Sequence, residues 1–131
     1  VLYGDDVILG EDPACGQLIR AYNETGKGVV GVKEVSEEAI QRYSSLKVEP
    51  LHDNWFTCTD MIEKPSKDKI MSLYSILGRC VLPPQIFDIL AHTAPGAGGE
   101  IQLTDAMCEL AGTGRGRLKA PRDWRKLPRL P

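Results

Sequence analysis

Residues 26–35 read GKGVVGVKEV. Val29, Val30, Val32 and Val35 crowd into seven positions, after Gly26 and Gly28 and around the charged Lys33 and Glu34. β-Branched side chains are stiff at χ1 and pack well on a pleated surface, so this stretch is a strand. What lies on either side sets the fold class. Upstream, Asp12-Pro13 precedes ACGQLIRAYNETG: an Asp N-cap, Pro at the first helical position, apolar Leu18, Ile19 and Tyr22, and Gly26 as stop signal predict a helix. Downstream, Ser36 caps a short helix to Tyr43, with Glu37 and Glu38 in its first turn.

The pattern continues. Ser45–Glu49 and Trp55–Ile62 read as strands joined by the turn-like His52-Asp53-Asn54. Met71–Leu82 is a further strand region broken near Gly78. Pro83-Pro84 opens a helix over Gln85–Ala91 whose Ile86, Ile89 and Leu90 share one face. A glycine-rich loop at 95–100 leads into a last helix, Gln102–Leu110. The order β-α-β-α-β-β-β-α-α predicts an α/β fold with a sheet part parallel and part antiparallel.

The chain has 131 residues, of which 42% are hydrophobic and 26% charged, enough for one domain with a buried core. No apolar run approaches the ~20 residues a membrane helix needs, and there is no secretory signal pattern, so a cytoplasmic location with no membrane partner is expected. Cys15, Cys58, Cys80 and Cys108 are widely spaced, with no C-x-x-C pair, and read as free thiols in apolar or helical surroundings. The net charge of −2 hides an asymmetry: residues 112–131 hold seven Lys/Arg against Asp123 alone. This tail also holds three of the nine prolines and has neither helical nor strand periodicity. We therefore divide the chain into a body, residues 1–111, and an irregular basic tail, residues 112–131, with no nucleic-acid role.

Two short stretches carry chemistry. The chain opens VLYGDDVILG, placing Gly4-Asp5-Asp6 at the carboxyl end of an apolar run. In open α/β sheets ligands collect at such ends, and paired carboxylates are hard oxygen ligands suited to magnesium; an acidic turn closing a strand gives the same pattern. Asp60-Met-Ile-Glu63-Lys64-Pro65 sets an acid beside a base at a strand end. Glu63 can accept hydrogen bonds from sugar hydroxyls while Lys64 neutralises a phosphate; a solvated pair before a turn is the plain alternative.

Taken together and in order, GDD, GKGVVGVKEV, DMIEKP, ILGRCVLPPQIFDIL and PGAGGEIQLTDA resemble the bacterial UTP–glucose-1-phosphate uridylyltransferases (UDP-glucose pyrophosphorylases) from Val1 to about Ala111. The resemblance implies an incomplete nucleotide-diphospho-sugar transferase fold, Rossmann-like with a mixed sheet. It implies uridylyl transfer from UTP to glucose 1-phosphate, giving UDP-glucose and pyrophosphate, with Mg2+ as cofactor and a homo-oligomeric state. It makes Asp5 a catalytic magnesium ligand, with Asp6 beside it as a substrate-binding residue. Glu63 becomes a ligand of the glucose hydroxyls, and Lys64 a catalytic contact to the sugar phosphate. The 96–100 loop and the following helix start would line the sugar-proximal or dimer-forming side.

Three departures accompany the resemblance. The family's opening glycine-rich nucleotide loop has no counterpart, so the chain is expected to be an internal piece, inactive by itself. Where many members carry Tyr-Gly, this chain has Tyr43-Ser44-Ser45. After Ala111 the family's Tyr-Asp-x-Gly segment is replaced by the basic tail, as a shifted reading frame or a spliced end would do. A thymidylyl-type sugar nucleotidyltransferase, which shares Glu-Lys-Pro, and a non-catalytic sugar-nucleotide binding or oligomerisation module are the alternatives.

Overall fold

The computed structural model describes residues 1–4, 7–52, 55–112 and 118–119. Its core element is the strand β1 (Val29–Glu34). It follows helix α1 (Ala14–Thr25), which Gly26 terminates with a left-handed φ of 64°. Strands β2 (Ser44–His52), β3 (Trp55–Glu63) and β4 (Tyr74–Val81) come next, then α2 (Gln85–Leu90), α3 (Leu103–Gly112) and a two-residue β5 (Leu118–Lys119). They form one sheet in the order β2-β3-β5-β1-β4. Every pairing is antiparallel except β1 with β5, so the expected mixed sheet is observed.

β1 is buried on both faces because successive side chains alternate across a sheet. Val30 and Val32 join Leu46, Phe56, Met61, Met107 and Leu110 in the larger core, under α3 and α2. Val29 points the other way, onto Leu18 and Ala21 of α1. Each such side chain, fully covered, contributes roughly 1.5–3 kcal/mol. Gly78 interrupts β4 with a φ of 66°, and the register with β1 shifts between Val30 and Val32. This bulge is the break that the glycine signals in the sequence.

Three sequence expectations are corrected. Asp12 does not cap α1; its carboxylate pairs with Arg20 on the same helix, while its carbonyl accepts a bond from Gln17 Nε2 at 2.9 Å. Pro13 occupies the cap position with extended backbone, and having no N–H it leaves no donor there to satisfy. The segment after Ser36 is a single 3₁₀ turn, Ala39–Arg42, although Ser36 Oγ accepts the Ala39 N–H as a cap should. Within the basic tail, Leu118–Lys119 is not irregular: it adds to the sheet between β3 and β1, where backbone groups of Val29, Thr57 and Cys58 face it. The rest of residues 113–131 lies outside the described residues.

The two edge strands approach each other at one end. Ser45 Oγ accepts the N–H groups of Met71 and Ser72 at 3.0 and 3.2 Å and donates to Ser72 O at 2.9 Å. Ser72 returns its own hydroxyl to Leu46 O. The segment entering β4 is thus tied to the start of β2. All four cysteines are free, with Cys58 and Cys80 buried. No helix among the described residues is long and apolar enough to cross a membrane.

Candidate functional site

β3 ends at Glu63 because the next two residues cannot continue a strand. Lys64 has a φ of +45°, the one positive value at a non-glycine among the described residues, and Pro65 lacks an N–H. Lys64 still gives its backbone N–H to Tyr43 O at 2.8 Å, so the chain turns only after pairing is complete. Glu63 is half-buried, whereas Lys64 is exposed. The turn thereby sends neighbouring acid and base to different surroundings.

Glu63 forms one wall of a cavity of about 300 Å³, at the lower end of the range for small-molecule sites. Ser44 from β2, Ser75 and Ile76 from β4, Lys33 from β1, and Gln102 and Thr104 at the start of α3 complete it, with Tyr3 and Tyr43 at its margin. Thr104, only 5% exposed, donates to Glu63 Oε2 at 2.8 Å and fixes the carboxylate. Lys33 Nζ lies 5.0 Å from the centre of the Tyr43 ring, a cation–π distance. The cavity therefore combines a held carboxylate, an ammonium and buried hydroxyls, a mixture suited to a polyhydroxylated, anionic ligand.

The glycine loop serves this site indirectly. Gly98 and Gly99 take φ values of 73° and 75° that only glycine adopts cheaply, and Gly96 lies against the Asp105 carboxylate, where a Cβ would fall 2.2 Å from Oδ2. Gln102 Nε2 donates to Ala97 O at 2.8 Å, fastening the loop to the helix start. From this segment the cavity is lined by Gln102, Leu103 and Thr104, not by the loop glycines.

Of the residues singled out by sequence, Glu63 lies in the cavity wall and Lys64 just beyond it, while Asp5 and Asp6 fall outside the described residues. The serine at 44 needs no unusual backbone, since its φ is not positive. Lys33, Ser75 and Thr104 were not singled out by sequence reasoning as members of this site. Lys33 had a signal in being a charged residue within the valine run, and Thr104 had one in the resemblance, which puts the start of its helix on the sugar-proximal or dimer-forming side; Ser75 had none, because its partner is distant in sequence.

Beneath the helices, Cys58 Sγ donates to Asp60 O at 3.3 Å and Cys108 Sγ to Asp60 Oδ1 at 3.1 Å. Burial pushes the Cys58 thiol up from 9.0 to about 12, and burial raises Cys80 and Cys108 too. These are structural thiols, not nucleophiles. No group of three or more His, Cys, Asp or Glu side chains converges as a metal site among the described residues.

No profile of a known protein family matches the chain. Individual proteins do. UTP–glucose-1-phosphate uridylyltransferase 2 of Staphylococcus saprophyticus is 47% identical over 107 residues, 82% of this chain and 37% of that protein. Its counterpart numbered 1 in the same organism is 42% identical over the same shares. A crystal structure of UDP-glucose pyrophosphorylase complexed with UDP-glucose superposes with a TM-score of 0.86 at 31% identity, over 96% of this chain and 47% of that one. The chain thus spans a little over a third of the length of these curated relatives and carries the corresponding part of their α/β fold. Along the segment it shares with them, the chain is similar in sequence and in fold to the UTP–glucose-1-phosphate uridylyltransferases.

Proposed function

We propose that the cavity at Glu63 holds the sugar of a sugar nucleotide, and that the reaction to which it contributes is uridylyl transfer from UTP to glucose 1-phosphate. In that reaction a phosphate oxygen of the sugar phosphate attacks the α-phosphorus of UTP in line, and pyrophosphate leaves. Such chemistry asks the protein for positioning and charge neutralisation rather than covalent participation. The observation that carries the reading is the Glu63 carboxylate, fixed by Thr104 in the wall of a cavity and followed at once by an exposed lysine. Glu63 accepts from sugar hydroxyls; Lys64, turned outward, meets the phosphate.

Magnesium belongs to this proposal through Asp5, with Asp6 beside it, on family resemblance. The described residues do not themselves assemble a cation site, so no step is routed through the metal. Self-association is part of the same reading, supported by the exposed side chains of Leu2, Phe87 and Ile101. A cytoplasmic location follows from the proposed substrates.

The test is a calorimetric titration of the folded chain with UDP-glucose, with and without magnesium, beside Glu63→Gln. Saturable binding that Glu63→Gln weakens tenfold or more, roughly the worth of a charge-assisted hydrogen bond, supports the reading. Absence of binding by a chain shown to be folded overturns it.

A further inference from the structure

Ser44 and Glu63 are direct cross-strand partners at the mouth of the β2–β3 ladder. The adjoining pair, Tyr43 and Lys64, carries the backbone hydrogen bond. Ser44 and Glu63 are therefore a narrow, non-hydrogen-bonded pair, the kind whose side chains stand closest on a shared face. Both line the cavity.

Behind Ser44 stands Ser75, its Oγ 3.4 Å away, and Ile76 N–H donates to Ser44 Oγ at 3.3 Å. Among the described residues, neither serine gives its hydroxyl proton to any acceptor but the other. Two protons thus share one bond, and the question is which is left over. Ser75 is fully covered, while Ser44 retains a 4% opening. Both hydroxyls border the cavity, but if Ser44 donated to Ser75 the leftover proton would sit on the fully covered one, the harder of the two for a ligand to reach. The favourable polarity has Ser75 donating to Ser44. With Ile76 N–H and Ser75 O–H occupying its oxygen from behind, Ser44 has only its own proton to offer the cavity.

We infer that Ser44, its proton aimed by Ser75, is a specificity-determining donor that recognises an oxygen on the ligand next to the one bound by Glu63. The inference rests on the sugar-site reading above and deepens it. Glu63 can only accept and Ser44 can only donate, so the pair matches a hydroxyl that accepts and donates at once, or two neighbouring hydroxyls. A ligand lacking that oxygen leaves the Ser44 proton unpaired and binds less well.

The experiment compares UDP-glucose with its 2-, 3-, 4- and 6-deoxy analogues by calorimetry on the full chain, for the wild type, Ser44→Ala and Ser75→Ala. In the wild type one or two analogues bind weaker than UDP-glucose by roughly two- to tenfold. In Ser44→Ala that ratio falls to about one, while the remaining ratios stay put; Ser75→Ala weakens it partially. If Ser44→Ala fails to fold, Ser44→Cys keeps the shape with a poor donor and must reduce the same ratio. Deoxy ratios that no Ser44 variant changes, in a chain whose UDP-glucose binding still needs Glu63, overturn this inference alone. A folded wild-type chain that binds no UDP-glucose overturns both.

Discussion

Thr104, in the first turn of α3, donates its hydroxyl to Glu63 Oε2 at 2.8 Å, joining residues 41 positions apart. The bond fixes the carboxylate before any ligand arrives, so its contribution is preorganisation. Thr104→Val keeps the shape and removes the donor. We expect UDP-glucose affinity to fall about three- to tenfold and stability by about 1 kcal/mol, with Thr104→Ser restoring most of both. Calorimetry and urea denaturation check the two effects separately.

Lys64 combines a strained backbone with an exposed cation. Lys64→Ala removes the charge and keeps the strain; Lys64→Gly removes both. We expect the glycine variant to be more stable than the alanine variant by about 1 kcal/mol, and both to bind glucose 1-phosphate more weakly than the wild type. Equal stability of the two variants would show that the positive φ costs nothing.

The Cys58 thiol ionises near 12 in the fold against 9.0 for an ordinary thiol, because burial disfavours the thiolate. A raised folded value means that the unfolded chain binds fewer protons above pH 9, so stability declines as pH rises from about 9 towards 12. Cys58→Ser or Cys58→Ala flattens that part of the profile. At pH 8 a thiol reagent modifies Cys58 at the rate of unfolding, which titration in rising guanidinium reveals.

Met107 is fully buried in the larger core, one turn along α3 from Thr104. Met107→Ala leaves a cavity that the surrounding β1, β3 and α3 side chains fill only in part, costing about 2–5 kcal/mol. The urea midpoint should drop accordingly. Because α3 also carries Thr104, UDP-glucose affinity should weaken along with it.

The legible parts of this molecule were those written in contiguous residues. The valine run of β1, the Gly26 stop and the Pro83-Pro84 helix start depend on neighbours in sequence, and each was found where its local chemistry puts it. Glu63-Lys64-Pro65 was legible for the same reason: the motif carries its own turn. Asp12 misled because its carboxylate had two partners in reach, the helix N–H groups and Arg20, and sequence does not rank them. Ser75 was illegible as a site member because a serine in a strand is ordinary until its distant partner is known; the resemblance pointed to the helix start that carries Thr104, but not to its bond with Glu63.

Those distant partners also fix an order of assembly. Ser44 reaches Ser75 across 31 residues, and Glu63 reaches Thr104 across 41. Local hairpins such as β2–β3 close early at small entropic cost, whereas contacts spanning such loops wait until the sheet and α3 are in place. The cavity floor is then among the last parts of the protein to form. Ligand capture by this chain would report that folding is finished, and a partly folded chain would show helix and sheet while remaining blind to sugar.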